Sequence, residues 1–184
     1  MIYKPVPVVS ILESLFATIP IYDGNNKLFF GYGDQKELNT MLLVKQANGE
    51  PIYPILWYLL PKDLEGSSIS SEGFYDFVLA HNTTLDWFND QRYLNVFEAI
   101  LYPHFSLVMQ ALVKANGISV FNMSSNNKKW TYSEMPNYGN PIDFEGKEEA
   151  KQIDFWDAIS FRVKLDIKAT ACDFDKIKYD LINI

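Results

Sequence analysis

The sequence predicts an α+β fold, a mixed or antiparallel sheet of about four to five strands packed by two to three helices. Residues Ile159–Ala171 alternate strictly, with Phe161, Val163, Leu165, Ile167 and Ala169 set against Arg162, Lys164, Asp166, Lys168 and Thr170. That is the pattern of a strand with one buried and one wet face. Ile52–Leu60 contains no polar residue, as a strand covered on both faces requires. Two other stretches repeat apolar residues at threes and fours, as helices laid on a sheet do. With 184 residues, 48% apolar and 15% aromatic, the chain reads as a single domain over residues 1–184 that can bury a substantial core.

In chain order, Val8, Val9, Leu12, Phe16 and Ile19 form one apolar face, which predicts a helix from about Pro7 to Ile19. Pro7 suits a first helical position and Pro20 stops the ladder. Lys27–Tyr32 is aromatic-rich, lies between the turn cluster at Asp23–Asn26 and Gly33, and predicts a short strand. Gly31-Tyr32-Gly33 lacks the third glycine and the Lys-Ser or Lys-Thr of a phosphate loop, so it reads as a strand-end turn. Asp34 and Glu37 make a capping box ahead of Leu38, Met41 and Leu42. Pro54 marks the entry of the all-apolar strand, leaving Ile55–Leu60 paired at the centre of the sheet. Lys62–Gly73 reads as a mobile surface loop, and Phe74–His81 as the next strand.

From Asn89 the apolar positions Tyr93, Val96, Phe97, Ile100, Leu101, Phe105, Val108 and Leu112 predict a long helix ending at Asn116-Gly117. Pro103 inside it predicts a kink or two abutting helices. Ile118–Phe121 reads as a short strand. Residues 122–151 hold no lasting period, and a structureless stretch of that length is usually functional or ordered by a partner. Trp130, Tyr132, Met135 and Tyr138 supply anchors for such a surface. The tail from 173 to 184, with Phe174, Ile177, Tyr179 and Leu181, is too apolar for a free terminus and predicts an added edge strand or a dock on a neighbour.

Sixteen Lys and Arg against 23 Asp and Glu leave a formal charge of −7, which argues against sequence-independent nucleic-acid binding. The single cysteine, Cys172, excludes an internal disulfide and a multi-thiolate metal site and suits a reducing compartment. The N-terminal stretch lacks the pattern of an export signal, and the longest unbroken apolar run falls far short of the roughly 20 residues of a membrane span. His81 and His104 are the only imidazoles, and no local motif pairs either with a nucleophile. Glu145, Glu148, Glu149 and Asp154 do not follow a calcium-loop pattern, and no spacing suggests zinc. The expectation is therefore no catalytic residue, no metal and no cofactor.

Three segments resemble a family of small structural proteins of tailed phages infecting Bacteroidetes, akin to tail-terminator and neck (head-to-tail connector) proteins. They are Tyr53–Pro61, the stretch from Asn82 to Pro103 that includes Trp87-Phe88-Asn89-Asp90-Gln91-Arg92-Tyr93, and Asp154–Ile159. The resemblance implies a tail-terminator-like α+β subunit that closes into a ring between portal and tail, located in the virion. Its partners would be copies of itself and other neck, portal or tail proteins, with no catalytic residue and no membrane. Gly31-Tyr32-Gly33, residues 124–140 and the apolar tail have no counterpart in the family.

Two physical features agree with that expectation. A head-to-tail ring joins unlike patches on successive copies, and the middle stretch and the tail are two such candidates. An acidic lumen, for which Glu145, Glu148 and Glu149 are the candidates, would let DNA pass without sticking. A competing reading makes Trp130, Tyr132 and Tyr138 a platform for a glycan or small ligand. A third makes His81 or His104 the base of a hydrolase.

Overall fold

The computed structural model describes residues 5–21, 27–34, 36–38, 40–41, 53–60, 65–66, 69–84, 86–121, 130–138, 155–171 and 174–180. The elements are α1 (Val8–Phe16), β1 (Phe29–Gly33), β2 (Ile55–Leu59), β3 (Glu65–Gly66), β4 (Ser70–Thr83), the long helix α2 (Asn89–Lys114), β5 (Ile118–Val120), β6 (Trp130–Tyr138) and β7 (Phe155–Lys168). A single 3-10 turn, Phe174–Lys176, follows.

The fold is α+β, as predicted, and among the described residues its one mixed sheet has seven strands, where four to five were expected, β3 being only two residues long. Strands β4 and β7, 14 residues each, pair antiparallel along their full length and form its spine. On the outer side of β4 lie β2 and β3, and beyond β2 lies β1, which pairs with it in parallel. On the outer side of β7 lie β5 and β6, end to end. The all-apolar β2 is thus interior, but the centre belongs to β4 and β7.

Alternation along the spine sorts the side chains onto two faces. Phe77, Leu79, Ile159, Phe161, Val163, Leu165 and Ile167 join Leu56, Tyr58 and Tyr75 under α1 and α2 as the larger core. Phe16 of α1 meets Phe77 edge-on at 6.0 Å, and Phe105 of α2 meets Phe161 edge-on at 5.1 Å. Each buried ring of this kind contributes about 2–3 kcal/mol through the water it sheds. On the other face Ile55, Trp57, Val78, Ala80, Trp156 and Ala158 form a smaller core closed by Leu38. The capping box that starts the helical residues 36–38 is present: Glu37 N–H donates to Asp34 Oδ1 and Asp34 N–H to Glu37 Oε2, both at 2.8 Å.

Helix α2 continues for 26 residues, and within it two helical segments abut near Tyr102 as expected: Tyr93–Leu101 winds as a π-helix, and Tyr102–Lys114 is α-helical with Pro103 in its first turn. His104 assists at this junction: its Nδ1–H donates to the Ile100 carbonyl at 2.8 Å. By length and composition α2 could also cross a membrane, a property the unbroken-run criterion overlooked; here 56% of its most apolar window is buried within the protein.

Three further expectations are corrected. The stretch 62–73 contains β3 and the start of β4, because β7 extends far enough to pair with Ser70–Gly73. Within 122–151, residues 130–138 are β6, a strand defined by pairing with β7 and not by any apolar alternation of its own. Pro136 cannot donate to a ladder, and the register shifts between Met135 and Tyr138 around it. Of the tail, the described residues 174–180 form no edge strand; they lie against their own subunit.

Candidate functional site

Phe174 is 6% exposed within the larger core, and Ile177 and Tyr179 pack against that core. Tyr179 Oη lies 2.6 Å from Thr18 Oγ1 beside α1, and burial raises the phenol's pKa while the Thr18 hydrogen bond opposes the rise. Gln110 of α2 donates to the Asp180 carbonyl at 3.1 Å and accepts from the Asp180 N–H at 2.8 Å. Lys114 donates to the Lys178 carbonyl and pairs with the Asp180 carboxylate, both at 2.8 Å. Phe174, Ile177 and Tyr179 therefore lie against the core of their own subunit, while Thr18, Gln110 and Lys114 hold Tyr179, Lys178 and Asp180. Leu181, like Glu145, Glu148, Glu149 and Cys172, lies outside the described residues.

The middle stretch behaves differently. In β6, Thr131 to Pro136 are all exposed, and alternation divides the predicted anchors between two faces. Trp130 packs half-buried on the larger core, and the Tyr132 ring leans on Phe105 at 5.5 Å while remaining 52% exposed. Glu134, on the same face, accepts a hydrogen bond from Tyr102 Oη at 2.6 Å, and Tyr93 Oη stands 3.3 Å from the same phenol. Burial and then these hydrogen bonds raise the Tyr102 pKa, keeping it a donor. Met135 and Tyr138 belong to the opposite face. Tyr138 stacks on Trp156 at 6.3 Å, and burial raises its phenol pKa. Trp130, Tyr132 and Tyr138 thus do not converge into one ligand platform.

What the fold does assemble is a sheet with two unlike open sides. Among the described residues no strand pairs with the outer edge of β1 or with that of β6. Each edge carries a half-exposed tyrosine, Tyr32 at 51% and Tyr132 at 52%. At Gly31 the Trp57 indole occupies the space a Cβ would need, and the Trp57 Nε1–H donates to the Gly33 carbonyl at 3.0 Å. Gly33 has a φ of +137°, and a Cβ there would collide with the Glu37 carboxylate of the capping box. Gly31 is required by the packing of Trp57, and Gly33 by its positive φ at the end of β1.

The imidazoles stand on different elements, His104 on α2 and His81 on β4. His104 is fully buried and His81 partly so, and burial lowers the pKa of both. Near them lies a pair the sequence reading missed: Arg92 Nη1 meets Asp157 Oδ1 at 3.3 Å, with the two side chains 5% and 0% exposed. The Arg92 Nε–H and Nη2–H also donate to the carbonyls of Trp87 at 3.0 Å and Thr84 at 3.2 Å, which ties the β4–α2 connection to β7. A signal was present. Asp157 stands on the buried parity of β7, and Arg92 is four residues before core residue Val96 on α2.

Among the described residues no group of three or more His, Cys, Asp or Glu side chains could hold a metal ion. Two cavities of similar size are present, one of about 360 Å³ among Pro5–Ser10, Tyr58, Leu60 and Ser71, the other of about 350 Å³ over Asp76, Ser160 and Arg162 beside β6. Arg162 grips Asp76 through two bonds of 2.6 and 2.8 Å in the second. Neither cavity is lined by a histidine among the described residues. Comparison with protein-family models, with curated proteins and with solved structures finds no match for the chain.

Proposed function

We propose that this chain is a structural ring subunit of a phage neck or tail, a tail terminator or head-to-tail connector that encircles the DNA channel in the virion and acts by fit alone. One observation carries the reading: a single sheet whose two ends, β1 and β6, are different strands, each pairing with one other described strand, β2 and β7. A surface that meets a different surface on the next copy makes a heterologous contact, and heterologous contacts close into rings when the rotation allows. Since the tail is engaged within its own subunit, the work of joining copies falls to β1 and β6. The net charge of −7 accords with a wall past which DNA slides.

Mass measurement and electron microscopy of the purified protein test this. The expected result is one discrete oligomer of annular shape. Placing lysines on the exposed β6 edge with Ser133→Lys and Met135→Lys should leave monomers of unchanged thermal stability, because charged edges resist strand addition. A chain that stays monomeric up to about 1 mM, where even an association of about 4 kcal/mol is half formed, would overturn the proposal.

A further inference from the structure

We propose that the cavity at the start of α1 binds a small monocarboxylate with an apolar body, the carboxylate held by the first turn of α1 and by the Tyr58 hydroxyl. The site does not depend on assembly into a ring. Its volume of about 360 Å³ lies at the lower end of the range for small-molecule pockets.

Two independent features meet there. The first is a buried polar group in want of an acceptor. Tyr58 lines the cavity and is 1% exposed, yet among the described residues nothing hydrogen-bonds to its hydroxyl. Its stacked neighbour Tyr75, 5.6 Å away, donates instead to Ser71, whose carbonyl and Oγ both lie at 3.4 Å. Burial raises the Tyr58 pKa and Tyr75 adds to the rise, so the phenol stays protonated and offers a donor. Buried polar groups in native proteins are nearly always paired, and an orphan at the wall of a cavity marks a place for a ligand atom.

The second feature is the uncapped start of α1, a helix of nine residues. Pro7 holds the N-cap position and gives no side-chain cap. The Val8 N–H donates to the Val6 carbonyl at 2.8 Å, and the Ile11 N–H to the Pro7 carbonyl at 3.1 Å. Val9 and Ser10, between them, have no carbonyl four residues back within the helix. Such N–H groups, with the positive end of the helix dipole behind them, favour an anion.

The lining decides which anion. Pro5, Val6, Pro7, Val8, Val9 and Leu60 make most of the wall, and among the described lining residues there is no lysine, arginine, aspartate or glutamate. Phosphate is recognised chiefly through arginine and lysine, which this wall does not supply. A carboxylate carries a single charge and can accept from two N–H groups and a phenol together. Its apolar body gains by shedding water against the prolines and Leu60.

Titration calorimetry of the full chain with hexanoate as probe tests the site. Hexanoate should bind with a Kd of about 1 mM, as befits so small a ligand. It should bind about tenfold more tightly than 1-hexanol, hexylamine or inorganic phosphate. Tyr58→Phe should weaken hexanoate about tenfold, the loss of one hydrogen bond to a charged group. The same variant without ligand should melt at or above the wild-type Tm, because the hydroxyl it lacks had no partner. A lowered Tm would mean that the hydroxyl is paired within the fold, and would overturn the proposal. Absence of hexanoate binding up to about 20 mM, or affinity unchanged in Tyr58→Phe, would overturn it as well. Hexanol binding as tightly as hexanoate would remove the helix start from the site, and phosphate binding as tightly would remove the apolar wall; either outcome refutes the assignment.

Discussion

Replacing Asp157 by alanine removes one half of the most deeply buried charge pair described in the molecule. The carboxylate is 0% exposed and its partner guanidinium 5%, so water cannot take over what is lost. Arg92 would keep its bonds to the carbonyls of Thr84 and Trp87, at 3.2 and 3.0 Å, but these neutralise no charge. Breaking one side of a buried pair generally costs about 3–5 kcal/mol, because the remaining charge stays desolvated. The bonds Arg92 retains and the 3.3 Å separation place Asp157→Ala near the lower end, about 3 kcal/mol. For a chain of 184 residues that corresponds to a drop of roughly 6–12 °C in Tm. Urea unfolding followed by tryptophan fluorescence gives the free energy, and calorimetry gives the Tm. The double variant Arg92→Met/Asp157→Leu should recover most of the loss, since an apolar pair needs no desolvation. A loss under about 1 kcal/mol in the single variant, or a double variant worse than the single, would refute the claim that this pair is charged and dry.

Phe174→Ala should cost about 3 kcal/mol in the same urea assay, because a nearly buried ring leaves a cavity in the larger core; a loss below about 1 kcal/mol would mean that Phe174 is not packed into its own subunit. Acid should weaken the fold. With folded-state pKa values held below the usual 6.5 by burial, His81 and His104 stay neutral while the unfolded chain takes up protons. Stability is complete above about pH 6.5 and is lost as pH falls through that value, so the urea midpoint should be lower at pH 5.5 than at pH 7.5. A midpoint that is flat or rises on acidification would contradict the burial of these rings.

The sequence disclosed elements whose residues make their contacts locally or in a regular period. The strict alternation of β7 was visible because its helix-facing side is buried from Ile159 to Ile167 while Arg162, Lys164 and Lys168 face out. The Asp34–Glu37 box was visible because a cap needs only four residues. Strand β6 was not, since Ser133, Glu134 and Pro136 carry no strand preference and only the hydrogen bonds of β7 hold them extended. The tail misled for a related reason: its apolar residues announce burial but do not say against what, and the answer lies about 70 residues away in Gln110 and Lys114. The candidate anchors Trp130, Tyr132, Met135 and Tyr138 were singled out by residue type, whereas their division between two faces depends on a strand that the sequence did not reveal.

Hydrogen exchange at two protein concentrations tests the pairing of β1 and β6 between copies most directly, because backbone amides on an open edge exchange fast unless a second strand covers them. The account predicts that the amides of β1 and β6 that face away from β2 and β7 become protected as concentration rises, while those of β4 and β7 do not change. Protection of the two edges that is the same at both concentrations, or a gain elsewhere on the surface with none at these strands, would contradict it.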